Sequence, residues 1–438
     1  RHPSLMKTAM KRLIAAAFAL LLAQTAWAGV KIEHWVSPSG ARVYFVESRI
    51  LPMLDVQVDF AAGSMFDPAG KSGLAALTRA TLDNGAGKLD ETAIAEQLAD
   101  LGASLGGGAD TDRASISLRT LSPRDKRDPA LDILKTVVQA PLFDAAIFER
   151  EKARTIAGLK EAMTRPDSIA GKAFWAALYP DHPYGRQATP ETVAALTRDD
   201  LAAFHGRYYT AANASITLVG DLSRQEAEQI ADKLLAGLPP GIPAALPAVP
   251  GQPAGGLTRL AHPASQAHIY IGLPAIERGH PDFFPLLVGN YTLGGGGFVS
   301  RLMKEVRDKR GYAYSVYSYF APLRHSGPFQ IGLQTKRSQA NDAITVARDV
   351  LDTFLQEGPS EEELAAAKAN LTGSFPLRLD SNRKILDNVA AIGFFGLPLD
   401  YLDHYQAKVQ AVTAADIKAA FARHVRADRL ITVTVAAD

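Results

Sequence analysis

The chain has 438 residues, 47% hydrophobic and 21% charged, with a formal net charge of +1 and no cysteine. That length suits two domains rather than one core, and that composition excludes disordered and fibrous classes. The near-neutral balance leaves no electrostatic footprint for nucleic acid, and the lack of cysteine excludes disulfides, cysteine nucleophiles and thiolate metal sites.

Residues 1–28 read as a secretory signal peptide behind a short upstream stretch, RHPSL. Lys7, Lys11 and Arg12 precede an apolar run from Leu13 to Leu22, and Ala26-Trp27-Ala28 is an A-x-A cleavage pattern. The run is too short for an ordinary membrane span, so no stable membrane insertion is expected. Cleavage removes four cations and no acid, taking the charge from +1 to −3. A bacterial-type periplasm is the expected location.

The alternation in "MLDVQVDF" predicts a strand, followed through "AAGS" by a helix in "GLAALTRATLDNG". On that helix Leu74, Leu77, Ala80 and Leu82 form a packing set. "DETAIAEQLADL" predicts a helix with Ile94, Leu98 and Leu101 on one face and Gly102 as its stop. "RASISLRTL" predicts a strand. Two motif matches between these elements fail on context. "GKS" at Gly70–Ser72 lacks the glycine that a phosphate loop needs five residues earlier. "GASLG" has helix before and strand after, the reverse of a nucleophile elbow, which makes Ser104 a turn serine.

The segment 237–257, "GLPPGIPAALPAVPGQPAGGL", holds six prolines and five glycines and predicts a semi-extended, solvated linker. It divides an N-terminal domain, 29–236, from a C-terminal one, 258–438. The halves resemble each other. "LTRDDLAAFHGRYYTAANASITLVGD" and "VTAADIKAAFARHVRADRLITVTVAAD" each place an acid three residues after threonine, then a helix and a β-branched strand. Duplication of an α+β unit, each with a mostly antiparallel sheet, follows. The ten histidines are scattered, with no pair at i, i+3 or i, i+4.

In "LGGGGFVSRLMKEVRDKRGYAYSVYSYF", Val299, Leu302, Met303 and Val306 form an apolar stripe with Arg307 at its edge. Strand alternation puts Tyr312, Tyr314 and Val316 on one face.

Taken in order, these segments resemble the pitrilysin-type zinc peptidases with the inverted H-x-x-E-H motif, in their two-domain, mitochondrial-processing-peptidase-like branch. The resemblance spans nearly all of the chain after residue 28 and implies a two-domain clamshell. In that family the helix after the glycine turn carries the motif. Here the two histidine positions fall on Ala76 and Ala80, the general base on Arg79, and the third ligand near Ala157 and Gly158. Alanine cannot coordinate zinc, and arginine has no acceptor to take a proton from water. Glu161 alone does not make a metal site. The resemblance implies no metal and no cofactor in this chain.

The second-domain pattern R-x-x-x-G-x-x-Y is intact as Arg307, Gly311 and Tyr314. The resemblance makes Arg307 and Tyr314 a clamp on the substrate backbone, and Gly294, Gly295, Gly296 and Gly297 the start of a substrate-handling loop. The implied role is a non-catalytic subunit acting in trans on a homologous partner that carries H-x-x-E-H and zinc, with peptides or unfolded polypeptides as substrates. The alternatives are a stand-alone peptide-binding pseudopeptidase and a structural or assembly subunit.

Overall fold

The computed structural model describes residues 29–438; the expected signal peptide lies outside the described residues. The first half builds a six-stranded sheet from β1 (Glu33–Val36), β2 (Arg42–Glu47), β3 (Met53–Phe60), β4 (Ser104–Gly106), β5 (Ala114–Leu121) and β6 (Ala214–Gly220). Their order is β1-β2-β6-β3-β5-β4. The second half builds a five-stranded sheet from β7 (Gly256–Leu260), β8 (Gln266–Ile276), β9 (Ala313–Phe320), β10 (Gly327–Lys336) and β11 (Ile431–Val435), in the order β9-β10-β8-β11-β7.

The two orders correspond strand for strand once β1 is set aside. In each sheet the central strand, β3 or β8, pairs antiparallel with the last strand of its half, β6 or β11. That last strand pairs parallel with β2 or β7. Before each last strand stands a helix opened by a capping box: Thr197 with Asp200 for 198–208, and Thr413 with Asp416 for 414–424. The threonine oxygen accepts from the N–H three residues on, and the aspartate accepts in return, so two orphan donors are satisfied.

Strand β3 has two buried faces. Leu54, Val56, Val58 and Phe60 enter the apolar core, while Asp55, Gln57 and Asp59 on the other face are also buried. The polar face is closed by the second half. Helix α1 (Leu74–Ala80) follows β3 in its own half, but α3 (Asn382–Phe395) crosses over to pack on β6, β3 and β2. Arg42 Nη1 donates to Gly393 O at 2.9 Å, and a Cβ at Gly393 would stand 2.5 Å from the Tyr44 ring, so glycine is required there. The exchange is reciprocal: α2 (Pro166–Leu178), from the first half, packs on β8 and β11. Phe174 meets Tyr270 with ring centroids 5.6 Å apart. Each half thus covers a sheet face of the other, and Ile32–Asp438 forms one compact unit.

Burying the polar face needs partners. Asp59 accepts from Gln57 Nε2 at 2.9 Å and Ser115 Oγ at 2.5 Å, and Arg113 lies 3.4 Å away. Burial still pushes its carboxyl above the usual range. Asp55 accepts from Arg119 Nε at 2.8 Å.

Several local expectations change. Ser104 opens the edge strand β4 rather than sitting in a turn; the turn is made by Gly102, in the left-handed region at φ 65°. The stretch 239–255 has no regular element, as composition predicts, but it is tied down along its length. Ala244 N donates to Asn213 Oδ1 at 2.7 Å, His325 Nε2 meets Pro247 O at 2.8 Å, and Gln252 Nε2 donates to Pro274 O at 3.1 Å. Gly256 and Leu257, expected as the end of the linker, belong to β7. Among the described residues no helix is long and apolar enough to cross a membrane.

Candidate functional site

Helix α1 is anchored at both ends. Asp67 caps its start, accepting from Gly73 N and Ala75 N at 2.8 Å each, which suits an anion at a helix N-terminus. Burial nevertheless pushes the Asp67 carboxyl up to about 6. At the other end Arg79 is buried. Its Nε donates to Ser115 O and its Nη2 to Gly106 O, both at 2.6 Å, and Asp83 lies 3.8 Å from Nη1. Arg79 therefore staples α1 to the β4–β5 edge through backbone carbonyls.

The packing set expected for α1 holds for Leu74, Leu77 and Leu82 but not for Ala80, which is exposed along with Ala76. The helix turns Arg79 inward instead. Ala76 lines a pocket of about 330 Å³ with Asp110, Trp175, Tyr184 and Arg186. Ala157 and Gly158 are exposed on the helix Ala145–Ala162, and a Cβ at Gly158 would meet nothing within 4 Å. The residues present do not fit zinc. No side chain at Ala76, Arg79, Ala80, Ala157 or Gly158 offers a metal-ligating lone pair, and Arg79 is already committed.

Arg307 and Tyr314 are brought together. Arg307 lies near the end of a π-helical stretch, Met303–Asp308, a wide turn often found at functional positions. Gly311, at φ 65°, makes the left-handed turn into β9. The Arg307 guanidinium carbon is 5.7 Å from the Tyr314 ring centroid and 5.0 Å from that of Phe298. Its one ion-pair partner among the described residues is the neighbouring Asp308, at 3.1 Å. Tyr314 is 89% exposed and Phe298 69%. The result is a cation between two solvent-facing rings, its only carboxylate partner among the described residues being the adjacent Asp308.

Simple alternation fails on β9. The register against β10 shifts between Ala313 and Val316, so both of these are buried while Tyr314 and Ser315 face out. Tyr314 and Val316 do not share a face; the extra residue of a β-bulge re-aims the tyrosine. Val299, expected in the apolar stripe, is exposed in a 3₁₀ turn, whereas Leu302, Met303 and Val306 are buried. Gly294 is buried against β9, where a Cβ would stand 2.3 Å from Ser318 Oγ. Gly295 and Gly297 are exposed and Gly296 is half-buried. Phe298, beside Arg307, carries no sequence signal beyond being an apolar side chain directly after four glycines.

The fold also assembles histidines that spacing kept apart. His280 and His424 stand with ring centroids 4.7 Å apart around Asp282. Asp282 accepts from Arg423 Nη2 and Nε at 2.8 and 2.9 Å and lies 2.7 Å from His424 Nε2. These partners, Arg423 first, hold its carboxyl down at about 2. Both carboxylate oxygens are occupied, so this group ties the helix 414–424 to the turn before Phe283 rather than offering an open metal site.

Residues 46–190 match the family model described as insulinase, peptidase family M16, and residues 195–371 match the peptidase M16 inactive domain. A crystal structure titled peptidase M16 inactive domain, from Pseudomonas fluorescens, is 39% identical with a TM-score of 0.89, over 92% of this chain and 97% of that one. The chain belongs to the M16 peptidase family. A Helicobacter pylori protein named a non-peptidase homolog is 28% identical to this M16 chain over 86% of it and 87% of the relative. A solved Helicobacter pylori protease shares the fold, with a TM-score of 0.86 at 19% identity over 93% of this chain and 99% of that one. With alanine, arginine and alanine on α1, this chain is a non-catalytic M16 member.

Proposed function

We propose that this chain is the non-catalytic subunit of a heteromeric zinc metallopeptidase. A homologous partner carrying H-x-x-E-H and zinc performs the hydrolysis. This chain supplies Arg307 and Tyr314 to the substrate backbone. The observation that carries the reading is the contrast in commitment: Arg79 is consumed by carbonyls of its own fold, whereas Tyr314 stands exposed and the half-buried Arg307 pairs only with the adjacent Asp308, its donors uncommitted to distant residues. A tyrosine O–H and an arginine fork suit a peptide carbonyl and the charge that develops on it. Backbone recognition gives little sequence preference, which fits peptides or small unfolded polypeptides. The leader-like residues 1–28 support an exported, periplasmic setting.

The second reading is a stand-alone peptide-binding pseudopeptidase. It is favoured by the edge position of β9, whose outward Tyr314, Tyr317 and Tyr319 offer a place for a peptide with no partner required.

Reconstitution separates the two. The chain is mixed with H-x-x-E-H homologues encoded in the same genome, then followed by gel filtration, metal analysis and peptide cleavage. The proposal expects no stoichiometric zinc and no cleavage from the chain alone, and a cleaving complex with one homologue. One tightly held zinc per isolated chain, removable with loss of activity, would contradict it; failure to complex with any such homologue would leave the second reading.

A further inference from the structure

The second half contains a pocket of about 420 Å³ that shares no lining residue with the Arg307–Tyr314 pair. Phe283, Phe284, Leu397 and Tyr401 contribute its apolar and aromatic wall, and two cations, Arg278 and Lys408, also line it. Arg278 is unusual among the arginines of this fold. Arg301 is matched by Glu363, and Arg79 by two carbonyls, but Arg278 has no carboxylate within ion-pair distance among the described residues. Its Nε is buried without a hydrogen-bond partner. Its guanidinium carbon stands 5.0 Å from the Phe395 ring centroid. Burial lowers its pKa, outweighing the more distant pull of Tyr401, Asp112 and Asp110. Lys408 likewise has no ion pair among the described residues; its Nζ stands 5.5 Å from the Phe284 ring. The one acid in the lining, Asp416, is engaged in capping, accepting from Thr413 N at 2.9 Å.

A partly desolvated guanidinium without an anion, beside a second cation and aromatic walls, is an incomplete ion pair. We propose that this pocket binds a carboxylate attached to an apolar or aromatic group, with Arg278 forking the carboxylate, Lys408 adding charge and the rings holding the apolar part. A single planar fork matches a carboxylate, and the nearby Asp416 disfavours the higher charge of phosphate. The carboxylate comes either from a small free acid or from the C-terminal residue of a peptide. The inference is independent of the subunit role and is tested on the chain alone.

Isothermal titration calorimetry of the full chain would use 3-phenylpropionate, 3-phenylpropionamide, a hexapeptide ending in phenylalanine as free acid and as amide, and inorganic phosphate. At least one acid should bind about tenfold or more tighter than its amide, the size expected for a charge-assisted pair. Binding of the peptide acid alone assigns the pocket to peptide C-termini; binding of both acids assigns it to apolar carboxylates in general. Arg278→Gln should abolish the acid–amide difference. Because Arg278 also packs on Phe395, the exposed Lys408→Gln serves as a second variant, expected to weaken the acid several-fold with an unchanged melting temperature. Equal binding of acid and amide, no binding of either acid, or phosphate binding as tightly as the acids would overturn the proposal.

Discussion

Arg79 and Arg307 are each carried near the end of a short helical stretch, yet the fold uses them in opposite ways. Arg79 points inward and spends its donors on Ser115 O and Gly106 O; Arg307 lies between two exposed rings. The first has become part of the scaffold at the position where the family resemblance puts a general base. The second, half-buried and paired only with its neighbour Asp308, is the one proposed to meet the substrate. A large cation can thus be taken into the scaffold without leaving a hole, provided it finds acceptors. Here the backbone of the β4–β5 edge supplies them.

The largest effect that would test this comparison comes from rebuilding the motif. Ala76→His, Arg79→Glu and Ala80→His together should destabilise the fold by ~3–5 kcal/mol, because a carboxylate would replace a cation against two carbonyls in a buried site. The variant should also stay inactive, since Ala157 and Gly158 provide no third ligand. Urea unfolding and a peptide assay check both; full activity would expose a missed ligand such as Glu161.

A smaller contrast compares the two arginines directly. Arg79→Ala removes a buried side chain and leaves two partly buried carbonyls without their donors, and should cost ~2–4 kcal/mol, whereas Arg307→Ala, at a half-buried position paired only with Asp308, should stay within about 1 kcal/mol. Equal costs would break the comparison.

The smallest effect concerns Asp67 at the start of α1. Its folded pKa, about 6, is raised above the unfolded value, so its contribution is fully present below about pH 4 and is lost as pH rises through 6. Between pH 5 and 7 the chain should therefore lose about 1 kcal/mol that Asp67→Asn does not lose. Parallel pH profiles of the two proteins would remove Asp67 from this account.

Much of the fold was legible because its signals are local. The alternation of 53–60, the Gly102 stop and the threonine–aspartate capping boxes each depend on a few neighbouring residues. The repeat made from them predicted two matching sheets. What escaped depends on distant chain. The burial of Asp55, Gln57 and Asp59 needs α3 from the other half, and the inward turn of Arg79 needs the carbonyls of β4 and β5. The bulge at Ala313–Val316 breaks a period-two reading that holds for β3. His280 and His424 are separated in sequence by most of the second half and meet only in the fold, beside Asp282. Arg307 and Tyr314 could be picked out by resemblance, but Phe298 could not, because its place beside Arg307 is set by tertiary packing.

The central claim is that the donor on Tyr314 works on substrate held with another chain's metal. Tyr314→Phe removes one O–H and almost no volume, and at 89% exposure it should leave the fold unchanged. The decisive measurement is kcat of the complex assembled from this variant and the wild-type zinc subunit, with assembly verified by gel filtration. The account predicts a fall of roughly 10²–10³, or ~2.7–4 kcal/mol, the usual cost of losing a donor to a developing oxyanion. Wild-type kcat from a fully assembled Tyr314→Phe complex would contradict it.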